Sequence, residues 1–136
     1  MSSQAERRAA GIDVMGTLTG AADPERGAGS MERRHGSLGT FAVDHVLGNL
    51  WSRPQLSRRD RSLIVVTFLT VIGANEELVT HVKGALNHGV ERHEIREILN
   101  QVAGYAGFPM TMQATRIVDE TFAELDGVDR LPAKES

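Results

Sequence analysis

The sequence contains no cysteine, and only six of its 136 residues are aromatic: one Trp, one Tyr and four Phe. The absence of cysteine excludes disulfides, thiolate metal sites and thiol redox chemistry. With so few aromatic side chains, the core must consist of Leu, Val, Ile, Ala and Met, which favours helices over a sheet. We therefore predict an all-α fold of about six helices in antiparallel pairs.

The chain also lacks a strong charge of one sign and any long apolar run. Its formal net charge is −3, with acidic and basic residues interleaved, so no basic face indicates nucleic acid or a membrane surface. No run approaches the roughly 18 apolar residues that span a membrane, and the first residues do not resemble a signal peptide. We expect a single domain over residues 1–136, a cytoplasmic location and a small-molecule substrate.

Apolar periodicity predicts two helices in the first part of the chain, over residues 4–18 and 38–51. The glycine-rich residues 19–37 between them predict a long loop, with at most a short helical turn near residues 30–34. Arg53-Pro54 ends the second helix, and Ser57 is a candidate N-cap for a central helix. The apolar run at residues 63–72 fits a buried helix, although its β-branched content leaves a strand as the alternative.

Three further helices follow from caps and periodicity. Asn75 is a candidate cap for a helix over residues 76–88, which Gly89 ends as the left-handed residue. Glu91, with Glu94 three residues later, predicts a start for a helix to about residue 106. The last helix is predicted over residues 110–125, after Pro109, and residues 127–136 form a charged tail that we expect to fray.

The candidate chemistry lies on the helix that begins near Glu76. At about 100° per residue, Glu77, His81, Gly84 and His88 fall within about 40° of one another. His81 is a candidate general acid or base, Glu77 its partner, and Gly84 an opening for a ligand. A solvated Glu–His pair at i, i+4 explains the same spacing.

Several residues outside this helix are weaker candidates. His45 could face the same cleft, and an arginine from the group near the central helix could bind a carboxylate. Tyr105 could place its hydroxyl in a pocket. No recognised metal spacing is present, so we expect no metal site. The arginines in question are Arg53, Arg58, Arg59 and Arg61.

Taken together, five segments resemble the carboxymuconolactone decarboxylase family. The resemblance covers about residues 47–122, and it implies an all-helical fold that assembles into symmetric homo-oligomers, trimers or hexamers, with active sites near subunit contacts. The segments are Trp51–Ser57, Arg61–Leu63, Glu76–Val90, Glu94–Ile95 and Tyr105–Pro109.

The resemblance implies a cofactor-independent decarboxylation of 4-carboxymuconolactone. His81 would carry the proton, Glu77 would assist it, and Arg61 would bind the anion. Arg53, His45, Trp51, Gly84 and Tyr105 would line the substrate site. A related branch of thiol peroxidases carries cysteines where this chain has Ala74 and Glu77, so that activity is excluded.

The sequence departs from the decarboxylases near its first helix. They carry an arginine pair and a histidine where this chain has Met15, Gly16 and Asp23. A less positive, more apolar pocket follows, and it suits another lactone or a related acid. An isomerase or cyclase of specialised metabolism and a non-catalytic ligand-binding oligomer are the alternatives.

Overall fold

The computed structural model describes residues 2–128, and seven helices without any strand make up that part of the chain. The all-α prediction is confirmed. The helices are α1 (Gln4–Thr19), α2 (Pro24–His35), α3 (Ser37–Phe41, continued by a π-helical segment, Ala42–Trp51), α4 (Arg58–Ile72), α5 (Asn75–Asn87), α6 (Arg92–Ala106) and α7 (Phe108–Leu125). Residues 129–136, most of the predicted tail, lie outside the described residues.

The prediction of a long loop at residues 19–37 is wrong, because α2 occupies most of it. The Asp23 side chain accepts a hydrogen bond from the backbone N–H of Arg26 at 3.3 Å, and Pro24 occupies the first turn. Both are helix-start signals, but the glycine content of this segment led us to predict a loop. Ala28 is buried against α1. This tertiary contact stabilises α2, and the composition of the segment does not reveal it.

The predicted helix caps are confirmed with one exception. Ser57 accepts from the Asp60 N–H at 3.0 Å, Glu91 and Glu94 form a reciprocal capping box, and Gly89 has φ +91°. The exception is α5, which begins at Asn75 with Ala74 as its N-cap and no side-chain cap bond. The two acidic residues of its first turn remain favourably placed at the positive end of the helix dipole.

The core has two parts. One packs α1 and α2 against the π-helical segment through Val14, Met15, Leu18, Ala28, Val43, Leu47 and Trp51. The other joins α4, α5, α6 and α7. α1 and the π-helical segment approach closely, since a Cβ on Gly11 would overlap the Val43 carbonyl and one on Gly48 would overlap the Arg7 carbonyl. None of the helices in residues 2–128 is long and apolar enough to cross a membrane.

Candidate functional site

Trp51, the chain's single tryptophan, lies buried at the end of the π-helical segment and contacts His81 of α5 and His88, the residue that follows α5. Its ring centroid is 6.3 Å from that of His81, with an angle of 28° between the planes, and 5.7 Å from that of His88, with an angle of 44°. Leu18 of the same core part packs onto α5 at Gly84. The indole therefore joins the π-helical segment to α5 where the two parts of the core meet.

His81 is mostly enclosed, and its Nδ1 atom is shielded from solvent with no hydrogen-bond partner in residues 2–128. Burial lowers the pKa of His81 below its usual 6.5, while the negative charge of Glu77 acts in the opposite direction. Glu77 itself is exposed in the first turn of α5. The predicted pair is thus close enough to interact, and one imidazole nitrogen is left without a hydrogen-bond partner in residues 2–128.

His88, in contrast, has both ring nitrogens hydrogen-bonded. Its Nδ1 lies 2.8 Å from the Ser62 hydroxyl of α4, and its Nε2 lies 2.8 Å from the Thr17 hydroxyl of α1. Thr17 donates its one proton to the Val14 carbonyl and accepts from Arg58, both at 3.0 Å. Its remaining lone pair therefore accepts from Nε2–H, and Nδ1 accepts from Ser62.

This arrangement keeps His88 neutral and ties three helices together. Burial lowers the pKa of His88, and the nearby charges of Arg58 and His81 lower it further. Arg58 also donates to Asp13 of α1 at 2.6 Å. His88 was noticed in the sequence through its place beside His81, but nothing in the pattern indicated its hydroxyl partners, Thr17 and Ser62.

Arg61 lies in a cavity of about 100 Å³ on the Trp51 side of α4, lined otherwise by Leu50, Trp51, Ile64 and Val65. The side chain is buried, and its Nη2 donates to the Arg53 carbonyl at 3.1 Å. Its Nε atom has no hydrogen-bond partner in the described chain. Arg53 contributes this carbonyl, and its side chain is exposed and is not among the residues that line the cavity.

Gly84 does not open a space for a ligand. A Cβ at this position would overlap the Leu18 side chain, so α1 fills the gap that we predicted beside His81. Asn87 fixes the same contact by donating to the Leu18 carbonyl at 2.8 Å. The glycine allows α1 and α5 to approach closely. The sequence alone does not distinguish this role from an opening for a ligand.

His45 and Tyr105 lie away from the Trp51 surroundings. His45 faces a separate depression of about 320 Å³, together with Arg7, Phe41 and Asp44. Tyr105 is 88% exposed and borders a third depression on α4 and α6. Neither depression shares a lining residue with the Arg61 cavity. Within this chain the structure brings together Glu77, His81 and Trp51, with Arg61 beside Trp51, and it does not bring His45 or Tyr105 to them.

Comparison with known proteins identifies the family of this sequence. The chain is 28% identical over 120 residues to 4-carboxymuconolactone decarboxylase of Acinetobacter baylyi, which covers 88% of this chain and 90% of that protein. It is 36% identical over 78 residues to nitrosuccinic acid decarboxylase of Metarhizium robertsii, covering 57% of this chain and 54% of that protein.

A third relative is an uncharacterized 15.0 kDa protein of Paracoccus denitrificans, 28% identical over 99 residues, with 71% of this chain and 74% of that protein covered. The model of the carboxymuconolactone decarboxylase family matches residues 37–120, from the start of α3 to near the end of α7. The match takes in Trp51, Arg61, Glu77 and His81. This protein is a member of the carboxymuconolactone decarboxylase family.

Proposed function

We propose that this protein is a carbon–carbon lyase that decarboxylates a small lactone or a related acid, with His81 as the proton carrier. The observation that carries the proposal is the enclosed imidazole of His81 with its unpartnered Nδ1, next to the charge of Glu77. Membership of the family and the two decarboxylases among the similar proteins support it.

The chemistry requires one proton. When the C–C bond to the carboxylate breaks, carbon dioxide leaves and the bonding electron pair stays on the substrate. A conjugated carbonyl takes up that pair as an enolate, which then receives a proton on carbon. Protonated His81 would give this proton and regain one from water, and Glu77 favours the protonated form. This reaction would proceed without a cofactor.

Arg61 and Trp51 complete the proposed site. Arg61 would bind an anionic group of the acid, and the indole of Trp51, which lies next to both Arg61 and His81, would contact the substrate between them. Met15 is buried in the core and Asp23 caps α2. A methionine is neutral and an aspartate is anionic, so neither adds positive charge. An acid with fewer negative charges than 4-carboxymuconolactone fits this site at least as well.

The proposal includes a homo-oligomer, a trimer or a hexamer. Exposed apolar side chains of α4 support it, because a run of this kind on one helix is typical of a surface that another subunit covers. They are Ile64, Phe68, Val71 and Ile72. Ile64 also lines the Arg61 cavity, so a subunit contact there would border the proposed site.

A second candidate, a ligand-binding oligomer without catalysis, is favoured by the Leu18 side chain that fills the space beside Gly84. One experiment separates the two. Purified protein is mixed with 4-carboxymuconolactone and with a panel of smaller lactone and β-keto acids, and released carbon dioxide is measured.

We expect turnover of at least one acid, and His81→Asn should lower kcat by about 10²- to 10⁴-fold, the usual contribution of a general acid. His93→Asn is the matched control, because His93 lies exposed on α6. Release of carbon dioxide at equal rates by wild type and His81→Asn would contradict the role of His81. Binding without release by wild type would favour the second candidate.

A further inference from the structure

The Trp51 ring contacts two imidazoles, and these differ in their hydrogen bonding. His88 is bound at both ring nitrogens, by Ser62 of α4 and by Thr17 of α1, each at 2.8 Å. His81 has no partner for Nδ1 within residues 2–128. Because the last side-chain torsion of a histidine has broad energy wells, we expect packing to set the orientation of the His81 ring.

Trp51 provides this packing. The centroids of the Trp51 and His81 rings are 6.3 Å apart, with 28° between the planes, which lies within the range of interacting aromatic pairs. Trp51 is only 4% exposed, so the indole has little free space around it. The orientation of the His81 ring therefore depends on where the indole is held.

His88 holds the indole from the second contact. The centroids of these two rings are 5.7 Å apart. Ser62 is fully buried, and the Thr17 hydroxyl is itself fixed by a hydrogen bond from Arg58 at 3.0 Å. A ring that is bound to two helices in this way does not rotate freely, and it limits the movement of the indole that packs on it.

We propose that His88 is a positioning residue for the proton carrier, acting through Trp51 to fix the ring of His81. The proposal rests on the proposed function for the role of His81 and goes beyond it, because it gives a part in the reaction to a residue that touches no reacting atom. Both ring nitrogens of His88 are occupied, so His88 itself carries no proton to the substrate. Since a displacement of about 1 Å can lower a rate about 100-fold, the two hydrogen bonds of His88 should matter for turnover.

A double variant separates these hydrogen bonds from the rings. Thr17→Val with Ser62→Ala removes both partners of His88 and keeps all three aromatic rings in place. Thr67→Val with Thr70→Val is the matched control. It also removes two hydroxyls, which lie on α4 and donate to carbonyls of their own helix, both at 2.8 Å.

Two measurements need no substrate. Acrylamide quenching of the fluorescence of Trp51, the chain's one tryptophan, measures how exposed the indole is, and NMR titration of the His81 ring protons measures the His81 pKa. In the double variant we expect stronger quenching. The His81 pKa should rise toward its usual 6.5, because a looser indole admits water to a ring whose burial lowers that pKa. Glu77 is present in every variant, and the control should match wild type in both measurements.

Turnover gives the third measurement. With an acid that wild type decarboxylates, the double variant should show a kcat about 10- to 100-fold lower and an unchanged KM, because the geometry of proton transfer is disturbed and binding is not. The control should keep the wild-type kcat.

A lower melting temperature alone would not support the proposal, since a purely structural role of His88 predicts it as well. Wild-type kcat in the double variant would overturn the proposal, and so would wild-type quenching together with a wild-type His81 pKa. If the double variant does not fold, Thr17→Val alone decides by the same measurements, because Thr17 is exposed. If wild type releases no carbon dioxide from any acid, the lyase is rejected, and the quenching and the titration still decide whether His88 positions His81.

Discussion

Two groups of polar side chains surround Trp51, and they differ in whether their polar atoms are paired. In the first, which we call the His88 group, His88 is held by Ser62 and Thr17 through both ring nitrogens. In the second, the Arg61 group, formed by Arg61 and His81, Arg61 Nε and His81 Nδ1 are shielded and have no partner in residues 2–128.

The difference separates a group that stabilises the fold from the group that we propose contacts a substrate. Buried polar atoms in folded proteins are nearly always hydrogen-bonded, because an unmade bond costs free energy. The His88 group obeys this rule and connects α1, α4 and α5. The Arg61 group breaks it twice beside one indole, where a ligand with an anionic end would satisfy the rule. The two unpaired atoms beside Trp51 support the proposed site.

The largest stability effect should come from the His88 group. His88→Leu leaves the Ser62 hydroxyl fully buried without a partner, and we expect a loss of about 1–3 kcal/mol in the free energy of unfolding. Urea denaturation followed by circular dichroism measures it. Ser62→Ala added to His88→Leu removes the orphaned hydroxyl and should recover part of the loss. A His88→Leu variant within about 0.5 kcal/mol of wild type would show that the hydrogen bonds of the His88 group do not stabilise the fold.

A smaller effect should follow at the contact between α1 and α5. Gly84→Ala forces Leu18 to move, and overpacking of this kind lowers the free energy of unfolding by about 1–3 kcal/mol. The higher helix propensity of alanine offsets up to about 1 kcal/mol of that loss. Gly104→Ala is the control, since a Cβ on Gly104 meets no atom within 4 Å, and it should stabilise α6. If Gly84→Ala and Gly104→Ala are equally stable, Leu18 does not fill the space at Gly84, and the prediction of an opening beside His81 stands.

The smallest effect concerns the charge state of His81. Glu77 raises the His81 pKa against the effect of burial, so Glu77→Gln should move that pKa further down. Titration of the histidine ring protons by NMR measures it. Glu76→Gln, one residue away in the same exposed turn, is the matched control and should leave the His81 pKa in place. The pH profile of turnover should shift to lower pH in Glu77→Gln, because less His81 is protonated at a given pH.

Much of the site's helix was predictable because its signals are local. The cap at Ser57, the Glu91–Glu94 box and the left-handed Gly89 act within a few residues of chain, as does the spacing that aligns Glu77 with His81. The prediction failed at α2, where composition suggested a loop. There the start signals Asp23 and Pro24 were local too, but the burial of Ala28 against α1 depends on contacts that no sequence window contains.

The sequence by itself determined an all-helical chain without thiol chemistry, and it placed an acid and an imidazole on one face of α5. Only the tertiary structure decided that Leu18 occupies the gap at Gly84, that His88 is saturated by hydroxyls from two other helices, and that His45 and Tyr105 lie elsewhere. The physical reason is range: caps and periodicity act over one or two turns, whereas burial and hydrogen-bond saturation depend on which helices meet. The lack of an acidic partner for Arg61 within residues 2–128 belongs to the second kind. The charge of Arg61 was readable in the sequence, and the absence of that partner was not.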